Sequence, residues 1–137
     1  MPVAMDPPLI ILLVDDSVDD RYFFRRALSR TGLSTQVFEA EDGIDAVEFL
    51  SNEGRFNDRG AFPRPHVVFL DLSMPGRNGF DVLRWLRTQT FRDQMQVVVL
   101  SGSSEPHDRE LATSLGANAY LVKPATTEKL IQHLTAF

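Results

Sequence analysis

The sequence has no cysteine, few basic residues relative to acidic ones, and no long apolar run. Without cysteine, disulfides and thiolate metal sites are excluded, and a reducing cytoplasm suits the chain. Nineteen acidic against 14 basic residues give a net charge of −5, which argues against a nucleic-acid-binding surface. No stretch approaches the ~20 apolar residues that a membrane span needs, so no membrane partner is expected.

The chain is 137 residues long and 43% hydrophobic, which fits one domain with a sizeable core. Residues 1–8 lack the basic and apolar regions of a secretory signal and are predicted to form a flexible tail. The segment 9–137 is predicted to form the single domain. We therefore expect no second domain within this sequence.

Apolar runs and segments of helical spacing alternate five times along the chain. Strands are predicted at 9–14, 36–40, 67–70, 97–100 and 119–122. Helices are predicted over 18–30, from residue 43, after residue 79, around 111–115 and around 130–134. In the first helix, Val18, Tyr22, Ala27 and Leu28 are expected on or near one face.

This alternation predicts an α/β fold with a parallel five-stranded sheet covered by helices on both sides. Right-handed crossovers leave few topologies. The flavodoxin-like (βα)5 arrangement, with strand order 2-1-3-4-5, fits the length best. Its switch point, where such folds bind ligands, lies between the first and third strands.

The strands end in residues that carry matching chemistry. Asp15 and Asp16 end the first strand, Asp71 the third, Ser101 the fourth and Lys123 the fifth. An isolated Asp in such a place would most simply be a helix cap or turn residue. Here three carboxylates should meet, and each like-charged pair at ~5–6 Å costs about 3 kcal/mol at an effective dielectric of ~20. A cation should offset this cost, and oxygen donors without nearby His or Cys favour Mg²⁺.

The same residues suggest what the metal serves. A carboxylate beside Mg²⁺ can attack phosphorus and form an aspartyl phosphate. Phosphoryl transfer depends on positioning and charge neutralisation. The Lys123 ammonium supplies a point charge for a phosphoryl oxygen, and the Ser101 hydroxyl can donate to another.

Five motifs in order now identify a resemblance: ILLVDDS, AEDG at 40–43, VVFLDLSMPGRNG, VVVLSGS and LGANAYLVKP. With these motifs, the sequence from residue 9 to 137 resembles the receiver domain of two-component response regulators. The resemblance implies that Asp71 is the phosphoacceptor. It implies that Asp16 and Asp71 bind Mg²⁺ directly, with Ser73 adding its main-chain carbonyl and Asp15 acting through water.

The resemblance implies further roles at the other strand ends. Lys123 would pair with the phosphoryl group, and its bond to Pro124 is usually cis in this family. Ser101 would be the switch hydroxyl and Tyr120 an aromatic switch that turns inward. From the residues alone, Ser101 could be an ordinary strand-end hydroxyl and Tyr120 half-buried packing.

A receiver of this kind would be a signalling switch rather than an enzyme, catalysing only its own phosphorylation and dephosphorylation. Its partners would be a sensor histidine kinase or phosphotransfer protein and a downstream protein target. The kinase is expected near the first helix, at Tyr22, Phe23 and Phe24, and the target at the face of helix 4, strand 5 and helix 5. That face also leaves a homodimer open.

Two departures from the usual pattern stand out. Ser73 occupies a position where many relatives carry Asn, and Ser103 lies two residues past the switch hydroxyl; both positions tune phosphoryl lifetime in this family. The connection 51–65 is longer than the usual 2–6 residues. It is either a tolerated insertion or a likeness to stand-alone receivers that serve bacterial phytochrome-type kinases.

Three alternatives from other classes compete with a phosphorylated receiver. An Asp-nucleophile phosphohydrolase generally needs a second Asp two residues on, where this chain has Ser73. A flavin or nucleotide module would want a phosphate-cradling loop where this chain has Asp15 and Asp16. A non-phosphorylated scaffold receiver should have lost an acidic residue or Lys123, and all are present.

Overall fold

The computed structural model describes residues 7–74 and 78–135 as a five-stranded parallel sheet between two layers of helices. Residues 1–6 of the predicted tail and 136–137 of the predicted domain lie outside this part. The strands are β1 (Leu9–Val14), β2 (Thr35–Ala40), β3 (Val67–Leu70), β4 (Gln96–Ser101) and β5 (Ala119–Val122). The helices are α1 (Val18–Ser29), α2 (Gly43–Ser51), α3 (Gly79–Leu86), α4 (Pro106–Ser114) and α5 (Thr127–Leu134).

The strand order is β2-β1-β3-β4-β5, with every pair parallel. The predicted fold class and strand order are therefore confirmed. All four residues of β3 are fully buried, as expected for a central strand covered on both faces. Because all strands run the same way, their carboxyl ends form one edge of the sheet.

Alternate residues of the strands build two cores. Leu12, Val68 and Val99 face α2, α3 and α4, whereas Ile11, Phe69 and Leu100 face α1 and α5. Burial on both faces anchors the sheet, with about 1.5–3 kcal/mol gained for each large apolar side chain that is fully buried. The strand ends are therefore held on a rigid support.

The predicted face of α1 is confirmed for Leu28, which is buried, and for Ala27, which packs against the core, but it is wrong for Val18 and Tyr22. Val18 is 70% exposed and Tyr22 55% exposed, while Arg21, Phe24 and Leu28 face the core. These three residues follow the spacing of one helical face, but its first member is an arginine. The aromatic residues Tyr22 and Phe23 consequently lie on the exposed side of α1, with their rings in edge-to-face contact.

The long connection between α2 and β3 packs on the domain. Asn52 ends α2 in the left-handed conformation, and its side-chain amide donates to the carbonyls of Phe56 and Phe62. The Phe56 ring is buried against Phe49, with centroids 5.1 Å apart, and Phe62 lies 5.2 Å from Phe56. Such edge-to-face contacts add to the stability gained from burial.

Candidate functional site

The register between β1 and β3 brings the predicted acidic residues together. Val14 pairs with Leu70. The residues that follow them, Asp15 and Asp71, therefore lie side by side. The Asp71 amide donates to the Val14 carbonyl at 2.9 Å, which carries the pairing to the end of the strand. Asp15 and Asp71 are buried at this edge, and Asp16 is exposed beside them.

Asp15, Asp16 and Asp71 form a donor set that fits a hard divalent cation. Each offers a carboxylate oxygen, and the three oxygens lie within 4.8 Å of one another. Hard cations of this class take carboxylate and carbonyl oxygens and keep bound waters, for which the exposed side of Asp16 leaves access. The arrangement is therefore consistent with a divalent metal.

Lys123 reaches into the same cluster from the end of β5. Its ammonium lies 2.8 Å from Asp15, 2.7 Å from Asp20 and 3.4 Å from Asp71. The Lys123 amide donates to the Ser101 carbonyl at 2.7 Å, and the following bond to Pro124 is cis, as the resemblance implied. Burial lowers the pKa of Lys123, but the bonds to Asp15 and Asp20 and the charge of Asp71 outweigh it and leave the pKa raised.

The surroundings of Asp71 disfavour the ionised form of its carboxyl, whereas those of Lys123 favour the charged ammonium. Burial raises the pKa of the Asp71 carboxyl, Lys123 partly offsets that rise, and the nearby charge of Asp15 adds to it. The Ser73 amide donates to an Asp71 oxygen at 3.2 Å, which favours the ionised form. A cation placed here would complete the neutralisation that Lys123 begins.

Ser101, Ser103 and Tyr120 form a chain of contacts leading away from the acidic cluster. Ser101 is buried, and its hydroxyl accepts from the Ser103 amide at 3.1 Å. The Tyr120 hydroxyl donates to the Ser103 carbonyl at 2.8 Å, and the Ser103 hydroxyl donates to Asp108 of α4 at 2.6 Å. The Tyr120 ring is already buried in this structure, so an inward turn of an exposed ring is not needed to reach this position.

Comparison with known proteins now decides the family. The sequence profile of the response regulator receiver domain matches residues 11–135. The chain belongs to this family. Receivers are the phosphorylation-dependent switches of two-component signalling systems, and the acidic cluster and Lys123 occupy the strand ends that the resemblance assigned to them.

Several relatives of this receiver are response regulators that the chain covers over most of their length. It is 30% identical over 135 residues to the response regulator Rcp1 of Synechocystis sp., covering 96% of this chain and 90% of Rcp1. The bacteriophytochrome response regulator RtBRR matches with a TM-score of 0.82 and 36% identity, covering 94% of this chain and 77% of that chain. The Mn(2+)-bound form of Rcp1 matches with a TM-score of 0.77 and 29% identity, over 94% and 91% of the two chains.

Longer response regulators also match. The response regulator MprA of Mycobacterium sp. is 33% identical over 129 residues, which is 94% of this chain but 50% of MprA. The receiver thus spans half the length of that relative. Across residues 7–74 and 78–135, the helices are too short or too polar to traverse a lipid bilayer.

Two residues of this site were missed by the sequence analysis. Asp20 bonds Lys123, and Arg21 donates from its guanidinium to the Asp15 carbonyl at 2.6 Å and to Glu39 at 3.0 Å. Ser17 caps α1 by accepting from the Asp20 amide, so the S-x-x-D pattern at 17–20 marks the first turn. That pattern locates Asp20 on the helix but carries no sign of its bond to a lysine 103 residues away.

Proposed function

We propose that this receiver accepts a phosphoryl group on Asp71 from a histidine kinase or phosphotransfer protein, with Mg²⁺ as its cofactor. The observation that carries the proposal is Lys123 lying within bonding distance of Asp15 and 3.4 Å from Asp71. A buried acid, further acids for a metal and a fixed ammonium at one strand edge are the parts that phosphoryl transfer needs. An ordinary surface salt bridge would not require Asp15 and Asp71 to be buried, as they are here.

The chemistry divides among the chain's own residues. An Asp71 carboxylate oxygen attacks phosphorus, the P–N bond of a phosphohistidine breaks, and the imidazole nitrogen keeps the electron pair and takes a proton. The Lys123 ammonium donates to a phosphoryl oxygen. Asp16, Asp71 and the Ser73 carbonyl would hold Mg²⁺ directly and Asp15 through water. When bound, the metal supplies charge neutralisation.

The signal would leave the site through Ser101. A phosphoryl group adds about −2 charge and new acceptor oxygens, and the Ser101 hydroxyl would turn to donate to one of them. That rotation changes its contact with the Ser103 amide, and Ser103 also bonds Tyr120 and Asp108. We infer that the face of α4, β5 and α5 shifts between two states in this way and presents one of them to a downstream protein.

Removal of the metal tests the proposal directly. Wild-type protein incubated with acetyl phosphate and Mg²⁺ should gain one phosphoryl group by intact mass. In excess EDTA the extent of labelling should fall at least about tenfold, since the acidic cluster then opposes the incoming phosphoryl charge. Restoring Mg²⁺ should restore labelling. Equal labelling with and without EDTA would contradict a metal-dependent site.

The kinase is expected to contact α1 through Phe23 rather than Phe24. Phe24 is 2% exposed and packs on Phe69, whereas Phe23 is 60% exposed beside Tyr22. Both phenylalanines line a cleft of about 310 Å³ that reaches Lys123, but Phe23 is the one exposed to a partner. A phosphodonor bound over this cleft would hold its phosphohistidine near the strand edge.

Phe23→Ala should therefore slow transfer from the histidine kinase that phosphorylates wild type fastest in a screen. Loss of one exposed aromatic anchor is worth more than about 1 kcal/mol at an interface, or roughly fivefold to tenfold in rate. Labelling by acetyl phosphate should be unchanged because the site is intact. Ile44→Ala, at an exposed apolar residue of α2, is the matched control. Unchanged kinase transfer in Phe23→Ala would count against this docking surface.

A further inference from the structure

Lys123 has a partner that the proposed chemistry does not use. Its ammonium is 2.7 Å from Asp20, closer than the 3.4 Å to Asp71. Asp20 comes from the first turn of α1 and is partly exposed, with 43% of its side chain accessible against 6% for Asp71. The lysine therefore bonds a carboxylate at the rim of the site more closely than the predicted phosphoacceptor.

Asp15 gives Lys123 a second anchor, which is more deeply buried than Asp20. The ammonium has three N–H donors. Asp15 takes one at 2.8 Å, and its side chain is almost fully buried at the end of β1. Asp20 takes a second, and the long contact to Asp71 is left for the third. Removal of the Asp20 carboxylate would leave the ammonium anchored by Asp15 and facing Asp71.

Asp20 also adds a negative charge where a phosphoryl group must bind. Asp15, Asp20 and Asp71 lie within 3.4 Å of the Lys123 ammonium, and Asp16 belongs to the same acidic cluster as Asp15 and Asp71, which gives four carboxylates in all. A divalent cation and the lysine together neutralise three of them, so the charge of Asp20 remains in excess. An arriving phosphoryl group brings about −2 charge to the same ammonium. The two anions then compete for one cation.

We propose that Asp20 is a positioning residue that restrains Lys123 and competes with the phosphoryl group for it, which limits how tightly the site holds phosphate. The inference rests on the proposed phosphorylation of Asp71. Asp20 acts through the lysine, which it bonds at 2.7 Å, rather than on phosphorus. The Asp20 carboxylate thereby lowers the affinity of the site for the phosphoryl group. Without it, the remaining residues would bind that group more tightly.

The test uses beryllofluoride with Mg²⁺, a mimic of the phosphoryl group, titrated into the full chain by calorimetry. Asp20→Asn keeps the size and removes the charge, and it should bind beryllofluoride about threefold to tenfold more tightly than wild type. Asp19→Asn removes the same charge from the neighbouring exposed position on α1, so it reports the general effect of charge and helix dipole. We expect it to stay within about twofold of wild type.

Asp20→Glu restores a carboxylate that can reach the lysine and should return the affinity to that of wild type. An affinity of Asp20→Asn equal to that of Asp19→Asn would overturn the inference, because the contact would then add nothing beyond charge. Weaker binding by Asp20→Asn would also overturn it and would show that Asp20 assists Lys123. Failure of wild type to bind beryllofluoride would instead overturn the assignment of Asp71, and this inference with it.

Discussion

Asp71→Asn is expected to abolish phosphoryl acceptance and, in the absence of metal, to stabilise the fold. The amide is not a nucleophile toward phosphorus, so acetyl phosphate with Mg²⁺ should leave the variant's mass unchanged while wild type gains one phosphoryl group. The neutral amide also removes a buried charge. We expect its free energy of unfolding in EDTA to rise by on the order of 1 kcal/mol, the size of one close unfavourable charge contact.

The sign of the stability effect follows from the raised pKa of Asp71. Burial, aided by the charge of Asp15 and opposed by Lys123, holds the pKa of this carboxyl above its value in the unfolded chain. Protonation therefore favours the folded state, and ionisation as the pH rises through the folded pKa costs stability. Urea unfolding should show the largest advantage of Asp71→Asn near neutral pH. The advantage should shrink as the pH falls and wild type takes up its own proton.

Lys123 does not become an unpaired cation in this variant, because Asp15 and Asp20 still bond it. The matched control is Asp93→Asn, which makes the same chemical change at an exposed acid. It should accept phosphate like wild type and change stability by no more than about 0.5 kcal/mol. Labelled Asp71→Asn, or a variant less stable than wild type in EDTA, would contradict the role given to Asp71.

The acidic residues could be placed at the edge of the sheet because each strand is recognised from its own short stretch of sequence. An apolar run such as Val67–Leu70, bounded by turn residues, fits a buried strand, and parallel strands must end at one edge. In the predicted strand order the first and third strands are neighbours, which is enough to predict that Asp15 and Asp71 meet, and the observed register agrees with this. No side-chain detail was needed for that step.

The buried face of α1 could not be predicted in the same way. Periodicity treats arginine as a solvent-facing residue, but Arg21 occupies the core face because its guanidinium is bonded to the Asp15 carbonyl and to Glu39. Those partners lie directly after β1 and on β2, outside the helix. Because Arg21 counts as a polar residue in such a pattern, the predicted face of α1 is rotated toward Val18 and Tyr22, which are exposed in the structure.

Contacts between distant segments were missed for a related reason. Phe56 and Phe62 stand among polar residues without any regular spacing, yet both close on Phe49 because the turn at Asn52 directs the chain back over α2. Composition indicated a surface loop, and only the folded path shows that its aromatic residues extend the core. A position-by-position pattern does not contain such information.

Gly79→Ala is expected to damage the site without touching any of its charged residues. Gly79 begins α3, and its amide donates to the Leu72 carbonyl at 3.2 Å. A Cβ here would clash with the Asp71 carbonyl oxygen and lie 2.7 Å from the Leu72 Cα. These are backbone atoms that cannot rotate away, so either α3 or the segment carrying the phosphoacceptor must move.

We expect Gly79→Ala to lower the free energy of unfolding by about 1–3 kcal/mol, as overpacking of a closed site does. Phosphorylation by acetyl phosphate should slow by about 10²-fold at a temperature where the variant is fully folded, since a displacement of ~1 Å has that effect on transfer geometry. Gly102→Ala is the matched control, because a Cβ there meets nothing within 4 Å. It should retain wild-type stability and labelling. A Gly79→Ala variant that is folded and labelled at the wild-type rate would show that α3 can retreat without moving Asp71, and that the close approach of the helix is not what positions the acceptor.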